Sequence, residues 1–193
     1  MGDRCYALVV IGVSAGGFEA LKRLLGALPA EFPVPILIVQ HLRPGPGTLA
    51  DSLQNFCGIR LKEADEGERI APGTVYFAPP DYHLLVEGNG TLSLSVDPPV
   101  HFARPSVDVL FETAAEAFGP RVIGIILTGA NNDGSTGLRR IKDAGGTAIV
   151  QDPDDAEVAS MPRSALNGTT PDHIVPLAQL PALLCALTER SLP

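Results

Sequence analysis

Three short polar motifs in this chain of 193 residues contain a serine, a histidine and an aspartate whose side chains could act together in nucleophilic catalysis. Ser14 lies in the sequence Gly12-Val-Ser-Ala-Gly16, His41 follows a glutamine, and Asp133 lies in Asn-Asn-Asp-Gly. A hydroxyl, an imidazole and a carboxylate are the parts of a nucleophile, a general base and a group that orients the base. These residue types therefore predict acyl-transfer chemistry, provided that the fold brings them together.

Each motif follows a short apolar run that is typical of a buried strand. The runs cover residues 8–11, 36–39 and 122–127 and consist mainly of Val, Ile and Leu. Apolar residues at helical spacing follow the first and third runs, so strands and helices alternate. Such alternation predicts parallel strands, whose carboxyl ends meet at one edge of the sheet. We therefore expect the three polar side chains to lie at that edge.

The remaining chain continues the alternation with one interruption. Residues 63–99 are rich in Gly and Pro, and β-type runs at residues 82–87 and 91–96 flank Gly88-Asn-Gly90. This pattern predicts a β-hairpin. The predicted fold is therefore α/β: a doubly wound, mainly parallel sheet in a three-layer α/β/α sandwich with an inserted antiparallel β-hairpin. We expect a single domain over residues 1–193.

Two details of the helices can also be predicted. Ser106 is a favourable N-cap residue directly before an apolar pattern of helical spacing, so we expect it to be the N-cap of that helix. Leu49, Leu53 and Phe56 have the spacing of one helix face.

The Ser14 motif fits the nucleophile elbow G-x-S-x-G, in which glycines permit a tight, strained turn between a strand and a helix. The N–H groups that follow could bind a developing oxyanion. A glycine-rich turn with a capping serine would leave the same pattern. A dinucleotide loop is disfavoured because Ser14 stands where it needs glycine, and no P-loop Gly-Lys-Ser/Thr is present. The chain order Ser, His, Asp also differs from that of ordinary α/β-hydrolases.

The other titratable residues give weaker signals. A single histidine is usually structural, but the place of His41 at a strand end favours a catalytic interpretation. Asp133 could also form an Asx-turn or cap the following helix. No His/Cys cluster has metal-ligand spacing, and the acidic loop at residues 152–157 is interpreted as solvated. We predict neither a metal nor a cofactor.

The composition excludes several classes of protein. The net charge of −8 and the pI of about 4.9 disfavour nucleic acid as a partner. No apolar run reaches the ~18 residues of a membrane span, so we expect no membrane insertion. Three widely spaced cysteines are typical of a reducing compartment, and we predict a cytoplasmic protein.

Several ordered segments between about residues 8 and 187 resemble the catalytic domain of CheB, the chemoreceptor protein-glutamate methylesterase. The segments that carry this resemblance are Ile11-Gly-Val-Ser-Ala-Gly-Gly17, Gln40-His41, Glu66-Gly-Glu-Arg69, Arg104-Pro-Ser-Val-Asp108, Ile126-Leu-Thr-Gly129, Asn132-Asp-Gly134 and Met161-Pro-Arg163.

The resemblance implies roles for individual residues. Ser14 matches the nucleophile, His41 the base and Asp133 the orienting carboxylate, while the backbone N–H groups of Ala15 and Ala130 match the oxyanion donors. Familiar relatives often carry Met where Ala130 stands. The implied reaction is hydrolysis of glutamate γ-methyl esters on chemoreceptors with release of methanol, in chemotaxis-type adaptation. The same machinery could deamidate glutamine.

The resemblance also implies partners. These are the methylated cytoplasmic helices of chemoreceptors. A separate receiver protein or a methyltransferase is a second expectation, since familiar CheB proteins carry an N-terminal receiver domain and the first strand here begins at about residue 7. Two alternatives stay open: a non-catalytic signalling module of the same fold, and a serine esterase or amidase with a different substrate.

Overall fold

A computed structural model describes residues 5–41 and 47–189 of the chain. Within these residues, seven strands form a parallel sheet and two form a separate antiparallel pair. Numbered along the chain, the strands are β1 (Leu8–Val13), β2 (Ile36–Gln40), β3 (Arg60–Glu63), β4 (Thr74–Phe77), β5 (His83–Val86), β6 (Leu92–Ser95), β7 (Val122–Ile126), β8 (Thr147–Gln151) and β9 (His173–Val175). The antiparallel pair is β5 and β6.

Helices cover both faces of the main sheet. In the described part of the chain they are α1 (Gly17–Gly26), α2 (Leu49–Gln54), α3 (Val107–Phe118), α4 (Ser135–Asp143), α5 (Ser160–Gly168) and α6 (Leu180–Thr188). The apolar sides of α1, α2 and α6 bury one face, and those of α3, α4, α5 and the hairpin bury the other. Alternate residues of β1 therefore face opposite cores: Val9 and Ile11 enter the first, Leu8 and Val10 the second.

The strand order is β3-β4-β2-β1-β7-β8-β9. The strands on one side of β1 begin with β2 and those on the other begin with β7, so the winding direction reverses between β1 and β7. A crevice at the carboxyl ends of the strands is expected at such a switch point. The loops that follow β1, β2 and β7 meet there. The predicted doubly wound, three-layer fold with an antiparallel hairpin is confirmed.

One part of the fold prediction was wrong. Residues 63–99 were assigned to an antiparallel insertion, but β4 within them pairs in parallel with β2. β3, which ends where this stretch begins and was not predicted, pairs in parallel with β4. Each of these strands is four residues long. Runs this short, bounded by Gly and Pro, do not show whether their neighbour is parallel or antiparallel. The hairpin itself lies where it was predicted.

The helix containing Leu49 and Leu53 is shorter than predicted, and Phe56 lies beyond its end. The side-chain amide of Gln54 donates to the Cys57 and Ile59 carbonyls, which turns the chain toward β3. Phe56 is 48% exposed, and its ring centroid lies 4.5 Å from the Lys22 ammonium. A cation–π contact therefore replaces the expected packing on the helix face.

A glycine in β1 allows the start of α3 to approach the sheet. A Cβ at Gly12 would overlap the side chain of Val107, the first residue of α3. Only glycine permits this separation, because every other residue carries a Cβ. The close approach brings the N-terminus of α3 to the carboxyl edge of the sheet.

Candidate active site

Ser14 begins the loop between β1 and α1. Its N–H donates to the Thr128 carbonyl at 3.0 Å, and its own carbonyl accepts from the Gly17 N–H at 2.9 Å and from Gln40 Nε2 at 2.8 Å. Gly16 has a φ of 77° at the N-cap of α1. The left-handed conformation of the predicted tight turn therefore falls on Gly16, and Ser14 does not carry it.

His41 follows β2 and lies beside the Ser14 loop. Its N–H donates to the Val13 carbonyl at 3.2 Å, which continues the pairing of Val13 with Gln40 by one residue. Ser14 and His41 therefore occupy neighbouring positions at the ends of two paired strands.

The His41 ring is held at both nitrogens by the loop after β7. Nε2 lies 2.9 Å from Asp133 Oδ2, and Nδ1 lies 3.0 Å from Asn131 Nδ2. The exposed fraction of the His41 side chain is 14%, and that of the Asp133 side chain is 0%. The imidazole thus stands between a buried carboxylate and the open edge of the sheet.

The Asp133 carboxylate receives four hydrogen bonds. Ser106 Oγ and the Asp108 N–H donate to Oδ1 at 2.9 and 3.0 Å, and the Val107 N–H and His41 Nε2 donate to Oδ2 at 2.7 and 2.9 Å. Three of these donors belong to the start of α3. The carboxylate thus lies at the positive end of that helix, where negative charge is stabilised.

Burial alone would raise the pKa of Asp133, but the hydrogen bonds from His41, Val107 and Asp108 outweigh burial and hold the pKa below its ordinary value. The ionised carboxylate has only acceptor atoms. His41 Nε2 must therefore carry the proton of the Nε2···Oδ2 hydrogen bond. The lone pair of the neutral ring is then on Nδ1.

A second carboxylate lies buried next to Asp133. Burial raises the pKa of Asp108 to about 6, the Gly137 N–H bond opposes this rise, and the negative charge of Asp133 adds to it. Gly137 N–H donates to Asp108 Oδ1 at 2.6 Å, and His101 Nε2 lies 3.5 Å from Oδ2. Asp108 therefore links the start of α3 to α4 and to the loop that carries His101.

The structure thus brings together all three strand ends that were predicted to carry the chemistry. Asp133 and His41 are in direct contact, and Ser14 lies on the adjacent strand end. Between these described residues no hydrogen bond joins Ser14 Oγ to the His41 ring; the Nδ1 lone pair is instead occupied by Asn131.

The backbone N–H groups of Ala15 and Ala130 donate to no other group in the described part of the chain. Their loops are nevertheless tied together. Thr128 Oγ1 donates to the Ala15 carbonyl at 2.9 Å and accepts from the Val158 N–H at 2.9 Å. The Gly129 N–H donates to the Val158 carbonyl at 3.0 Å. Both N–H groups are therefore available, on loops held in place, to bind an oxygen atom.

An open cavity of about 390 Å³ adjoins this site. The cavity is lined by His41, Asn131 and the segment at residues 101–105. His101 and Phe102 have φ values of 48° and 63° in a two-residue turn closed by reciprocal hydrogen bonds between Val100 and Ala103. The Phe102 side chain is fully exposed. A turn of this kind usually holds Asn and Gly, so the two bulky residues are strained.

Comparison with known proteins identifies the family. The CheB methylesterase family model matches residues 9–184. The chain belongs to the CheB methylesterase family. A Leptospira interrogans protein is 50% identical over 192 residues, covering 97% of each chain. The protein-glutamate methylesterase FrzG of Myxococcus xanthus is 42% identical over 180 residues, covering 93% of this chain and 54% of FrzG. The chain thus spans about half the length of FrzG.

A solved structure gives the same result. The crystal structure of the Thermotoga maritima CheB methylesterase catalytic domain matches with a TM-score of 0.90 and 37% identity, covering 94% of this chain and 98% of that domain. The resemblance to CheB found in the sequence motifs is therefore confirmed.

Four residues that hold the CheB-type site together were not predicted from the sequence to belong to it. They are Gln40, which binds the Ser14 carbonyl, Ser106, which binds Asp133, Thr128, which joins the loops, and Asn131, which binds His41. Their position at strand ends was the available signal for all except Ser106. Ser106 was predicted to be the N-cap of α3, and it occupies that position, but its hydroxyl donates to Asp133 and accepts from none of the helix N–H groups.

A buried histidine and the acidic loop, both outside the candidate site, form hydrogen bonds within the fold. His83 is buried, accepting at Nδ1 from the Ser106 N–H at 3.2 Å, with Nε2 3.2 Å from the Pro98 carbonyl. In the acidic loop, Asp155 accepts from Gln151 and from the Leu177 N–H.

Within residues 5–41 and 47–189 no group of three or more His, Cys, Asp or Glu side chains could hold a metal ion. No helix in the same ranges is long and apolar enough to cross a bilayer.

Proposed function

We propose that this chain is a protein-glutamate methylesterase in which Ser14 is the nucleophile, His41 the general base and Asp133 the orienting carboxylate. The observation that carries this assignment is the 2.9 Å contact between His41 Nε2 and the buried Asp133 carboxylate, on the strand end next to Ser14. An ionised, fully buried carboxylate bound to one ring nitrogen leaves the other as a base.

In the proposed reaction, Ser14 Oγ attacks the carbonyl carbon of a glutamate γ-methyl ester while His41 Nδ1 takes the hydroxyl proton. Collapse of the tetrahedral intermediate expels methoxide, which leaves as methanol with the proton from His41. Water then attacks the acyl-enzyme by the same route, and a glutamate carboxylate is released. Asp133 stabilises the imidazolium formed in each step.

The Ala15 and Ala130 N–H groups are the proposed oxyanion donors. Neither N–H has a protein acceptor in the described ranges. The Thr128 hydroxyl binds the Ala15 carbonyl, and the Gly129 N–H, next to Ala130, binds the Val158 carbonyl, so both loops are fixed. Donors that are fixed before reaction stabilise the developing charge without further reorganisation.

The substrate class follows from family membership and from the relatives. FrzG is named a protein-glutamate methylesterase, and a relative from Geobacter metallireducens is named for both methylesterase and glutaminase activity. We extend both activities to this chain, with methylated cytoplasmic helices of chemoreceptors as the substrate and a receiver protein or methyltransferase as further partners. We also propose a cytoplasmic location and one methylesterase domain over residues 1–193.

The direct test is methanol release from a methylated chemoreceptor. The wild-type chain should release methanol, and Ser14→Ala should reduce the rate to background. Ser164→Ala is the matched control, because this serine lies on α5, outside the site. Full activity in Ser14→Ala would overturn the assignment of the nucleophile.

A second measurement separates an enzyme from a binding module. A fluorophosphonate that reacts with activated serines should label the wild-type chain and leave Ser14→Ala unlabelled. Absence of labelling in both would favour the non-catalytic module. Hydrolysis of small esters without hydrolysis of methylated receptor would instead favour an esterase with another substrate.

A further inference from the structure

The most informative contact outside the proposed triad joins Asn131 to His41. Asn131 Nδ2 lies 3.0 Å from His41 Nδ1, and Asn131 Oδ1 accepts from the Asp133 N–H at 3.3 Å. A backbone N–H can only donate, so it requires the amide oxygen at Oδ1. The orientation of the side-chain amide is thereby determined, and its NH₂ group faces His41.

This NH₂ group occupies the one lone pair of the neutral ring. Because the ionised Asp133 carboxylate accepts the proton of His41 Nε2, Nδ1 is the only ring atom that can receive a proton from Ser14. In the structure this lone pair accepts a hydrogen bond from the Asn131 side chain. That lone pair cannot accept from Ser14 and from Asn131 at the same time, so the Asn131 N–H leaves Nδ1 as the Ser14 hydroxyl takes its place. The Asn131 N–H is then without its partner when negative charge develops on the carbonyl oxygen.

We propose that Asn131 is a further catalytic residue, whose side-chain N–H passes from His41 Nδ1 to the carbonyl oxygen of the substrate as Ser14 attacks. Its neighbour Ala130 supplies a proposed backbone oxyanion donor, so both donors belong to the same loop. Both Asn131 and His41 line the 390 Å³ cavity. This inference rests on the proposed function and adds a side-chain donor to its oxyanion site.

The bond changes balance without a co-reactant. The Ser14 hydroxyl proton moves to Nδ1, an Oγ lone pair forms the bond to the carbonyl carbon, and the carbonyl π pair moves to its oxygen, which accepts from Asn131. On collapse that pair re-forms the C=O bond and the bond to methoxide breaks. Methoxide takes the proton from Nδ1, whose lone pair then accepts from Asn131 again.

The test compares Asn131→Ala and Asn131→Asp with Asn132→Ala, a matched control at the adjacent exposed residue. The substrate is a peptide containing glutamate γ-methyl ester. Removal of one oxyanion donor typically lowers kcat by 10² or more, so we expect about a 100-fold loss in Asn131→Ala with KM nearly unchanged. Asn131→Asp should lose at least as much, because a carboxylate cannot donate and repels the oxyanion. Asn132→Ala should retain the wild-type rate.

A tetrahedral inhibitor distinguishes this role from simple positioning of His41. Benzeneboronic acid forms an adduct with an active serine whose oxygen imitates the oxyanion, so its affinity should fall together with kcat in Asn131→Ala. An unchanged or increased kcat would overturn the proposal. A reduced kcat with unchanged boronate affinity would overturn it too, since Asn131 would then act only through His41.

Two further measurements keep these outcomes interpretable. Circular dichroism melting shows whether each variant folds. If Asn131→Ala does not fold, the ¹⁵N NMR spectrum of His41 in the wild-type chain tests the proposal instead. A protonated Nδ1 in the free enzyme would overturn it. Failure of the proposed function is a separate result, namely that the wild-type chain releases no methanol. An active wild-type chain with unaffected Asn131 variants overturns this inference alone.

Discussion

Ser106 is the N-cap residue of α3, but the side chain that caps this helix is that of Asp133. Ser106 occupies the N-cap position, but its hydroxyl donates to Asp133 Oδ1 at 2.9 Å. The Asp133 carboxylate accepts from the N–H groups of Val107 and Asp108, the first two residues of the helix. A carboxylate from the β7–α4 loop therefore caps a helix that precedes it in the chain, and the same group orients His41. The orientation of His41 and the capping of α3 thus depend on one side chain.

Asp133→Asn should impair both properties. The amide retains the shape of the carboxylate, but every partner of Asp133 is a donor. The NH₂ group of asparagine would therefore face another N–H or O–H donor, and the hydrogen bonds on that side would be lost. We expect kcat for methanol release to fall by about 10⁴, as when the orienting carboxylate of a serine hydrolase becomes an amide. The free energy of unfolding, measured by urea denaturation at pH 7, should fall by about 1–3 kcal/mol.

The control for this prediction is Asp154→Asn, which removes the same charge from an exposed loop residue. Its free energy of unfolding should stay within about 0.5 kcal/mol of the wild-type value. Wild-type activity in Asp133→Asn would contradict the role assigned to this carboxylate.

Asp108→Asn should stabilise the protein at neutral pH. The pKa of this buried carboxyl is raised to about 6 in the folded chain, against about 3.9 when unfolded. Folding therefore favours the protonated form, and stability is lost as the pH rises from about 4 through 6. The amide carries no charge and retains an oxygen for the Gly137 N–H. We expect a gain on the order of 2–3 kcal/mol at pH 7.5 and almost none at pH 4.

Urea denaturation at several pH values checks this dependence. The lowered pKa of Asp133 acts in a different window, because its stabilisation is present above about pH 4 and is lost only as the pH falls further. Measurements between pH 4.5 and 7.5 therefore report mainly on Asp108. A stability difference that does not change over this range would show that the charge of Asp108 is not its cause.

Thr128→Val should loosen the loops around Ser14. The two side chains have nearly the same shape, but valine leaves the partly buried Val158 N–H and Ala15 carbonyl without the Thr128 hydroxyl. Leaving a buried polar group unsatisfied costs about 1–3 kcal/mol, and for these partly buried groups we expect a cost of about 1 kcal/mol. We expect the melting temperature and kcat to fall together, since the Ala15 N–H is a proposed oxyanion donor. Thr170→Val, at an exposed residue, should change neither.

Phe102→Gly should stabilise the turn beside the cavity. Phe102 has a φ of 63° and a fully exposed side chain, so its removal relieves strain and sacrifices no packing. The left-handed conformation costs an L-residue about 1–2 kcal/mol, and the added chain entropy of glycine offsets roughly half of this. We expect a gain of about 0.5–1 kcal/mol in urea denaturation. Phe102→Ala is the control: it keeps the Cβ and should resemble the wild-type chain, and equal stability of all three would argue against strain.

The alternating architecture could be predicted because its signals are local. The runs at residues 8–11 and 36–39 are continuous apolar segments, and each lies within an observed strand. The hairpin was visible from its Gly-Asn-Gly turn. β3 and β4 were not recognised as members of the main sheet, because a four-residue strand shows neither its partner nor its direction. Tertiary pairing with β2 determined both.

The candidate site divides in the same way. Residue types at strand ends were sufficient to propose Ser14, His41 and Asp133, since parallel strands bring their carboxyl ends to one edge whatever the loops do. The hydrogen bonds among these groups were not predictable. Asn131 binds His41 across 90 residues of sequence, and Asp133 binds the Val107 N–H across 26.

The amino-acid sequence by itself therefore determined which chemical groups the edge of the sheet presents, because strand and helix periodicity are properties of neighbouring residues. Only the tertiary structure decided which ring nitrogen faces the carboxylate, which amide holds the other nitrogen and which side chain caps α3. Those outcomes depend on how loops from separate strands pack together. The close approach of α3 to Gly12 brings the first N–H groups of α3 to the buried Asp133 carboxylate, which binds them and His41.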